Sequence, residues 1–441
     1  MPMRWIRIIL IIPLFIGQLL AQTQAAPVPT PQPATLTLND VLRLAKANSV
    51  QFRAALGDAA LAKEDRVQAR STLLPNITYN SQFLYTQGNG TPSGRFIANN
   101  AVHEYVSQGN AHQVLSLQQF ADYRKAGAVA GLARAKAEVA ARGLVVTVVQ
   151  NYYAVLAAQR KHANSVTAAE EAAKFLSLSQ KLENGGEVAH SDVLKAQLQS
   201  NDRKRDLEDS QFELIKTRLE LSVLIMPMID QNTTRDFTLA DDMDEKPPVP
   251  ALAEVRHAAA DANPDLRAAL ATVEASRDEV ASARAGHLPS LSFDYFYGID
   301  ATHFATRTDG VRNLGYAAVA TLNIPVFSWG ATQSQVRQSL IREDQAKLEL
   351  TAAQRQLVVN IELFYDEAET AASELTTLRE SVGIATESLR LINLRYQAGE
   401  STVLEVVDAQ NTLIATRNAY LDGSLRYKLA LAHLQTLTGT L

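Results

Sequence analysis

Glu405 and Asp408 are the residues of this chain best placed to act together chemically. They stand three apart, so on a helix their carboxylates occupy neighbouring positions of one face. Val403, Val406, Ile414, Leu421 and Leu425 form a separate apolar stripe at intervals of three, eight, seven and four. Taken alone, two such acids are a solvated helix face. If copies of the chain bring them around an axis, they become a ring that attracts cations, disfavours anions and raises some of its own pKa values by mutual repulsion. Other chemistry lacks its residues. There is no G-x-S-x-G turn and no phosphate loop. The 8 histidines show no close pair with metal-ligand spacing, although His103, His112 and His303 fall in or near expected outer loops. Cysteine is absent, which removes thiol chemistry, disulfides and a lipid-anchored mature terminus. A net charge of -5 with no basic stripe argues against nucleic acid. The expectation is a non-enzyme without cofactor or metal.

The elements that position the two acids occur twice. The stretch Leu391 to Gln410, LINLRYQAGESTVLEVVDAQ, has a counterpart in LSLSQKLENGGEVAHSDVLKAQ around Leu178 to Gln197. Gly186 aligns with Gly399, Glu187 with Glu400, Asp192 with Glu405 and Val193 with Val406, an offset of 213 residues. Each copy predicts a long helix, a tight glycine-containing reversal and a second helix opening at Ser or Asp. The first copy, where Lys195 follows Asp192, reads as a supporting hairpin.

At 441 residues with 46% hydrophobic and 20% charged content, the chain is long enough for two or three ordinary domains and too apolar to be disordered. Arg4 and Arg7, an apolar run from Ile6 to Leu20 and Thr23-Gln24-Ala25 read as a signal peptide over 1–25. A flexible Pro-rich lead is expected over 26–36, and no later 18-residue apolar span is expected. A first repeat over 37–228 begins with a helix from Asp40 to about Leu74, ended by Pro75. In the strand that follows, over 76–87, Ile77, Tyr79, Ser81, Phe83 and Tyr85 face one way. A polar loop over 88–109, a second strand over 113–120 and a proline-free helix of about 60 residues, about 90 Å long, come next. After a linker over 229–250 the same order returns over 251–441, with an interruption at Asn263-Pro264, strands over 290–299 and 314–324, and two long helices split at Ala398-Gly399.

Four strands with aromatic faces are too few to close a barrel. In a membrane an open sheet edge would leave backbone donors and acceptors in hydrocarbon, so several copies must pool their strands. Eight, twelve or sixteen strands satisfy this argument equally, and a soluble sheet packed on a helical bundle is the competing arrangement. Tyr79, Tyr85, Tyr295 and Tyr297 are the candidates for aromatic belts at lipid interfaces.

With LLPNITY and its second copy HLPSLSF, the strand exit NIPVFSWG, the two reversals and the closing YKLALAHLQTLTG, the chain resembles the TolC family of bacterial outer-membrane efflux channels over about Leu36 to Gly439. The resemblance implies a mainly α protein with a membrane β-barrel part: a homotrimer in which each protomer gives four strands to one 12-stranded barrel, continued by a long periplasmic α-helical coiled-coil barrel. It implies an outer-membrane exit duct of a Gram-negative-type bacterium, mostly periplasmic, serving a tripartite efflux or type I secretion system. Its partners would be a periplasmic adaptor (membrane fusion) protein and an inner-membrane RND, ABC or similar pump. Gly186, Glu187, Gly399, Glu400 and Ser401 match the tips where the adaptor docks. Glu405 and Asp408 match the acidic constriction, Tyr396 an aromatic of the closing network, and Asp192 an acid of the partner hairpin. Ser401 stands where the family often has a basic residue, with Arg395 as a substitute. The rival reading is a periplasmic coiled-coil scaffold or adaptor without a channel.

Overall fold

The computed structural model describes residues 35–85, 103–226 and 237–440. The expected leader over 1–25, most of the lead-in, the loop over 86–102 and the first part of the linker lie outside these residues.

The chain opens with β1 (Thr35–Leu36), α1 (Leu38–Asn48) and α2 (Val50–Ser71), then β2 (Asn76–Tyr85), β3 (His103–Ser116), α3 (Leu117–Asn184) and α4 (His190–Ile225). The second half has β4 (Thr238–Leu239), α5 (Leu252–Ala262), α6 (Pro264–Ala285) and β5 (Ser290–Ala301). A small hairpin, β6 (Arg307–Thr308) and β7 (Val311–Arg312), precedes β8 (Leu314–Asn323), α7 (Ala331–Gln397) and α8 (Val403–Thr438). Corresponding helices have 11 and 11, 22 and 22, 68 and 67, and 36 and 36 residues. At 1.5 Å per residue, α3 and α7 are each about 100 Å long.

Several expected boundaries move. The helix expected from Asp40 to Leu74 is two helices, because Ser49 is extended (φ -63°, ψ 117°) and its hydroxyl accepts from the Phe52 N–H as an N-cap. Asn263, followed by Pro264, performs the same break in the second half. The second strand lies at His103–Ser116 rather than 113–120. Its Gln, Asn and Gly positions hide the alternation, and Ser116 caps α3 by accepting from the Gln119 N–H, so Leu117 to Phe120 are helical. Thr35-Leu36, expected in a flexible lead, pairs in parallel with Thr238-Leu239. One stretch of α3 is long and apolar enough to cross a membrane by length and composition, contrary to expectation. Part of that stretch packs inside the protein: Val145, Val148, Val149, Tyr152, Val155 and Leu156 are buried with Val41, Leu221 and Ile225.

The four long strands form one antiparallel sheet in the order β2-β3-β5-β8. Register puts Tyr79, Gly109, Tyr297 and Tyr316 in one row, and Ile77, Ala111, Tyr295 and Ala318 in the next row of the same face. That face also carries Phe83, Tyr105, Phe293, Leu291 and Leu322. The opposite face carries Asn76, Asn80, Gln82, Gln108, His112, Asp294, Thr321 and Asn323. The apolar face is unprotected, with Ile77 79%, Tyr79 72% and Tyr316 75% exposed. Between β3 and β5 the backbones cross so closely that a Cβ on Gly298 would lie 2.3 Å from the Ser107 carbonyl oxygen, so no other residue fits there.

Strand order continues into the helices. Next to the sheet, α2, α3, α6 and α7 lie side by side in the order of their strands. Towards the far end α4 packs on α3, α8 packs on α7, and α3 meets α8. The two longest helices therefore run the whole length, and the shorter ones accompany them in two tiers.

Candidate functional site

The far end of the molecule holds both reversals, and they are built alike. Gly186 (φ 79°) and Gly399 (φ 76°) adopt the left-handed conformation. The N–H of the following residue reaches back to the helix, Glu187 to the Leu182 carbonyl at 2.9 Å and Glu400 to the Arg395 carbonyl at 2.8 Å. This is the glycine-terminated helix stop, which satisfies carbonyls that would otherwise be orphaned. Gly186, Glu187, Gly399 and Glu400 are exposed, and Ser401 is half-buried.

The two copies diverge after the turn. α4 has no side-chain cap at Ala189, whereas Thr402 caps α8 by accepting from the Glu405 N–H at 3.3 Å. The Ser401 hydroxyl donates to Glu405 Oε2 at 2.6 Å, the Thr402 hydroxyl reaches Oε1 at 3.4 Å, and Arg395 Nη1 stands 4.0 Å from Oε2. These partners, the Ser401 hydrogen bond first, hold the Glu405 carboxyl below its ordinary range. Arg395 also donates to the Glu400 carbonyl at 3.1 Å. Asp408 is exposed, one turn further along α8. Asp192 is half-buried at the start of α4, 3.8 Å from Lys195 Nζ.

Tyr396 lies elsewhere than its acidic neighbours. It is 3% exposed, packed between the two hairpins against Phe175 (ring centroids 5.0 Å apart), Ala196, Val403 and Val406. Its hydroxyl pairs with that of Ser179 at 3.0 Å, and Ser179 is wholly buried. Within one protomer the structure thus joins Tyr396 to α3 and leaves Glu405 and Asp408 at the surface. Above this cluster Arg203 donates to Asn411 and Lys161 Nζ pairs with Asp422 at 2.6 Å, so α8 is tied to both helices of the first hairpin.

A second constellation escaped the reading of the sequence. Residues 237–250 form an ordered strap across the middle of the long helices. Arg160 of α3 donates to Asp241 at 2.8 Å and to Asp244 Oδ2 at 2.7 Å. Asp244 Oδ1 accepts from Tyr420 of α8 at 3.2 Å, and Arg379 of α7 donates to the same hydroxyl at 2.8 Å. Asp244 therefore gives one oxygen to each hairpin, and the Arg160 hydrogen bond is the main reason its carboxyl is held low. Tyr152 donates to the Ala240 carbonyl at 2.7 Å, and burial pushes its hydroxyl up to about 12. The acidic run Asp241, Asp242, Asp244 and Glu245 was the available signal, but its partner Arg160 is about 80 residues away in sequence.

Tyr79, Tyr85, Tyr295 and Tyr297 all sit on the apolar face of the sheet and are 47% to 72% exposed. Tyr295 stacks on Tyr316 with centroids 6.2 Å apart. On the polar face His112 Nδ1 lies 2.7 Å from Asp294 Oδ1. Among the described residues no three metal-ligating side chains cluster.

The sequence profile of the family described as "Outer membrane efflux protein" matches residues 255–440. Outer membrane protein TolC of Escherichia coli strain K12 is 24% identical over 92% of this chain and 82% of its own length. The alkaline protease secretion protein AprF of Pseudomonas aeruginosa is 24% identical over 92% of this chain and 85% of its own. The crystal structure of the Campylobacter jejuni CmeC outer membrane channel superposes with a TM-score of 0.82 at 16% identity, over 94% of this chain and 90% of that one. By its fold, by the family profile over residues 255–440 and by relatives aligned over nearly its whole length, the chain is similar to the TolC family of outer-membrane efflux proteins.

Proposed function

We propose that the chain is a protomer of an outer-membrane exit duct in a tripartite efflux or type I secretion system, passively conducting what an inner-membrane pump delivers through a periplasmic adaptor. One observation carries this reading. A four-stranded sheet with an apolar outer face, a polar opposite face and two unpaired edges continues directly into helices about 100 Å long. Such a sheet is stable in lipid only when its edges β2 and β8 pair with further copies. At about 3.3 Å per residue and a tilt of about 40°, a ten-residue strand such as β8 rises about 25 Å, the height of an outer-membrane apolar band.

The resemblance selects three copies and a 12-stranded barrel among the closures this argument allows. In that arrangement the polar face lines the lumen, and the helices form the coiled-coil barrel across the periplasm. The unit boundaries are a signal peptide over 1–25, repeats over 37–228 and 251–441, and a linker between them. The adaptor docks at Gly186, Glu187, Gly399, Glu400 and Ser401. Glu405 and Asp408 from three copies supply six carboxylates at the constriction, and Asp192 supports the closed state from the neighbouring hairpin. Arg395, 4.0 Å from Glu405, supports its reading as the substitute for the missing base at Ser401.

The test is native mass analysis and planar-bilayer recording of the protein extracted from outer membranes. A heat-modifiable trimer with cation-preferring conductance is expected. A monomer recovered from the soluble periplasm would overturn the duct in favour of the scaffold.

A further inference from the structure

The connection between β5 and β8 carries the small hairpin β6–β7, in which Arg307 stands directly opposite Arg312. Like charges opposed across two strands repel, so this pair weakens the hairpin that bears it. Local bonds hold the hairpin nonetheless. Asp309 (φ 51°) and Gly310 (φ 82°) form the left-handed two-residue turn whose twist matches that of paired strands. The Asn313 side chain donates to the Ala305 carbonyl at 2.9 Å and to the Thr308 hydroxyl at 2.8 Å. Its backbone N–H donates to the Thr306 carbonyl at 3.0 Å. The two arginines are therefore kept side by side by backbone that the turn fixes.

Nothing nearby neutralises them. Both arginines are exposed, and among the described residues neither forms an ion pair, not even with Asp309 in the turn between them. The sequence of the other outer loop, over 86–102, offers no acid, since its one charged residue is Arg95. Glu104 of β3 and Asp300 of β5 belong to the opposite, polar face of the sheet, one position out of step with the apolar-face pair Tyr105 and Ala301.

The strand pleat gives the pair a direction and a height. Only Asn313 separates β7 from β8, and its N–H carries the ladder on from one to the other. Arg312 stands two residues beyond Leu314, so alternation puts it on the side of Leu314, Tyr316 and Leu322, the apolar face. Arg307, its cross-strand partner, shares that side. Arg312 is also eleven residues from Asn323 at the helix end of β8. That is a rise of about 28 Å at about 3.3 Å per residue and a tilt of about 40°, against an apolar band about 25 Å tall. The pair thus stands just above the band and faces outward rather than into the lumen.

We propose that Arg307 and Arg312 clamp the phosphate of a phosphorylated glycolipid headgroup in the outer leaflet. A guanidinium offers a planar fork of N–H donors, and a phosphate monoester has oxygens enough to accept from two such forks. The bound phosphate supplies the anion that the opposed pair lacks, so mutual repulsion turns into attraction to one shared ligand. Anions passing through the duct would meet the polar face instead, and this is why the lipid is the occupant. The clamp rests on the duct reading, because it takes the sheet to be in the outer membrane.

The test titrates the detergent-solubilised full-length trimer and reads binding by native mass spectrometry. The probes are lipid A (an acylated glucosamine disaccharide phosphorylated at both ends), the same lipid after phosphatase treatment, and inorganic phosphate. The parent should bind the phosphorylated lipid about tenfold or more tighter than the dephosphorylated one, and Arg307→Ser/Arg312→Ser should abolish that difference. A parent that does not distinguish the two lipids, or a double variant that still does, overturns the clamp. Inorganic phosphate that displaces the lipid at equal concentration would make this a site for a free anion and overturn the lipid assignment. Arg307→Lys/Arg312→Lys keeps the charge and loses the forks, so the preference should fall several-fold. Full preference in that variant would reduce the clamp to general attraction and overturn it. Flotation with phosphatidylethanolamine/phosphatidylglycerol vesicles tests the duct reading separately, and both variants should float and conduct as the parent does.

Discussion

Tyr396 offers a test of what holds the two hairpins together. If the proposed duct opens by outward movement of α7 and α8, that movement draws Tyr396 away from Ser179 and Phe175 of α3. Tyr396→Phe keeps the ring contact and removes only the hydroxyl, leaving the wholly buried Ser179 without the partner 3.0 Å away. A buried hydroxyl that loses its hydrogen bond costs about 1–1.5 kcal/mol, which shifts a closed-to-open equilibrium roughly 5- to 13-fold. Tyr396→Ala also empties the space against Phe175, Val403 and Val406 and should cost about 3–5 kcal/mol, enough to disorder the tip. Single-channel recording in planar bilayers measures this as a rise in open probability for Tyr396→Phe. The double variant Ser179→Ala/Tyr396→Phe should fall short of the sum of the singles, because removing both hydroxyls strands neither. An unchanged open probability for Tyr396→Phe, together with additive singles, would refute the idea that this contact keeps the channel shut.

Gly186→Ala and Gly399→Ala place a Cβ in open space but in left-handed backbone. Each should destabilise its tip by about 1 kcal/mol, read as faster hydrogen exchange at the reversal with the barrel unchanged. Glu405→Ala combined with Asp408→Ala should lower cation preference, measured as reversal potential in a salt gradient, and unchanged selectivity would refute the acidic ring. Because Glu405 is held below its usual 4.5, its contribution at the start of α8 is present above that value and is lost as pH falls through the lower folded one. Ser401→Ala should therefore move the acid loss of cation preference to higher pH. Asp244→Ala severs the carboxylate shared by Arg160 and Tyr420. With Asp244 58% exposed the stability cost is about 1 kcal/mol or less, so the sensitive readout is increased protease cleavage of the 237–250 strap.

The amino-acid sequence by itself determined the local and periodic features. Proline-free alanine-rich segments make the long helices, and Gly186 and Gly399 stop them where a left-handed residue is needed. The alternation in β2, β5 and β8 marks an apolar and a polar face. Weakly patterned pieces were not legible. β3 mixes Gly, Asn and Gln with apolar residues, because its register with β2 and β5, rather than its own composition, makes it a strand. Likewise Tyr396 carries no sign in the sequence of being buried, and its burial follows from α3 and α8 closing over it. Tertiary structure alone brought Asp244 between Arg160 and Tyr420, residues 84 and 176 positions away, and left Trp329 strained and exposed beside β8. The physical division is one of range. Helix propensity, caps and side-chain period act over a few residues and are written in order along the chain. Ion pairs across the strap and the packing of one hairpin on another depend on where distant segments meet in space.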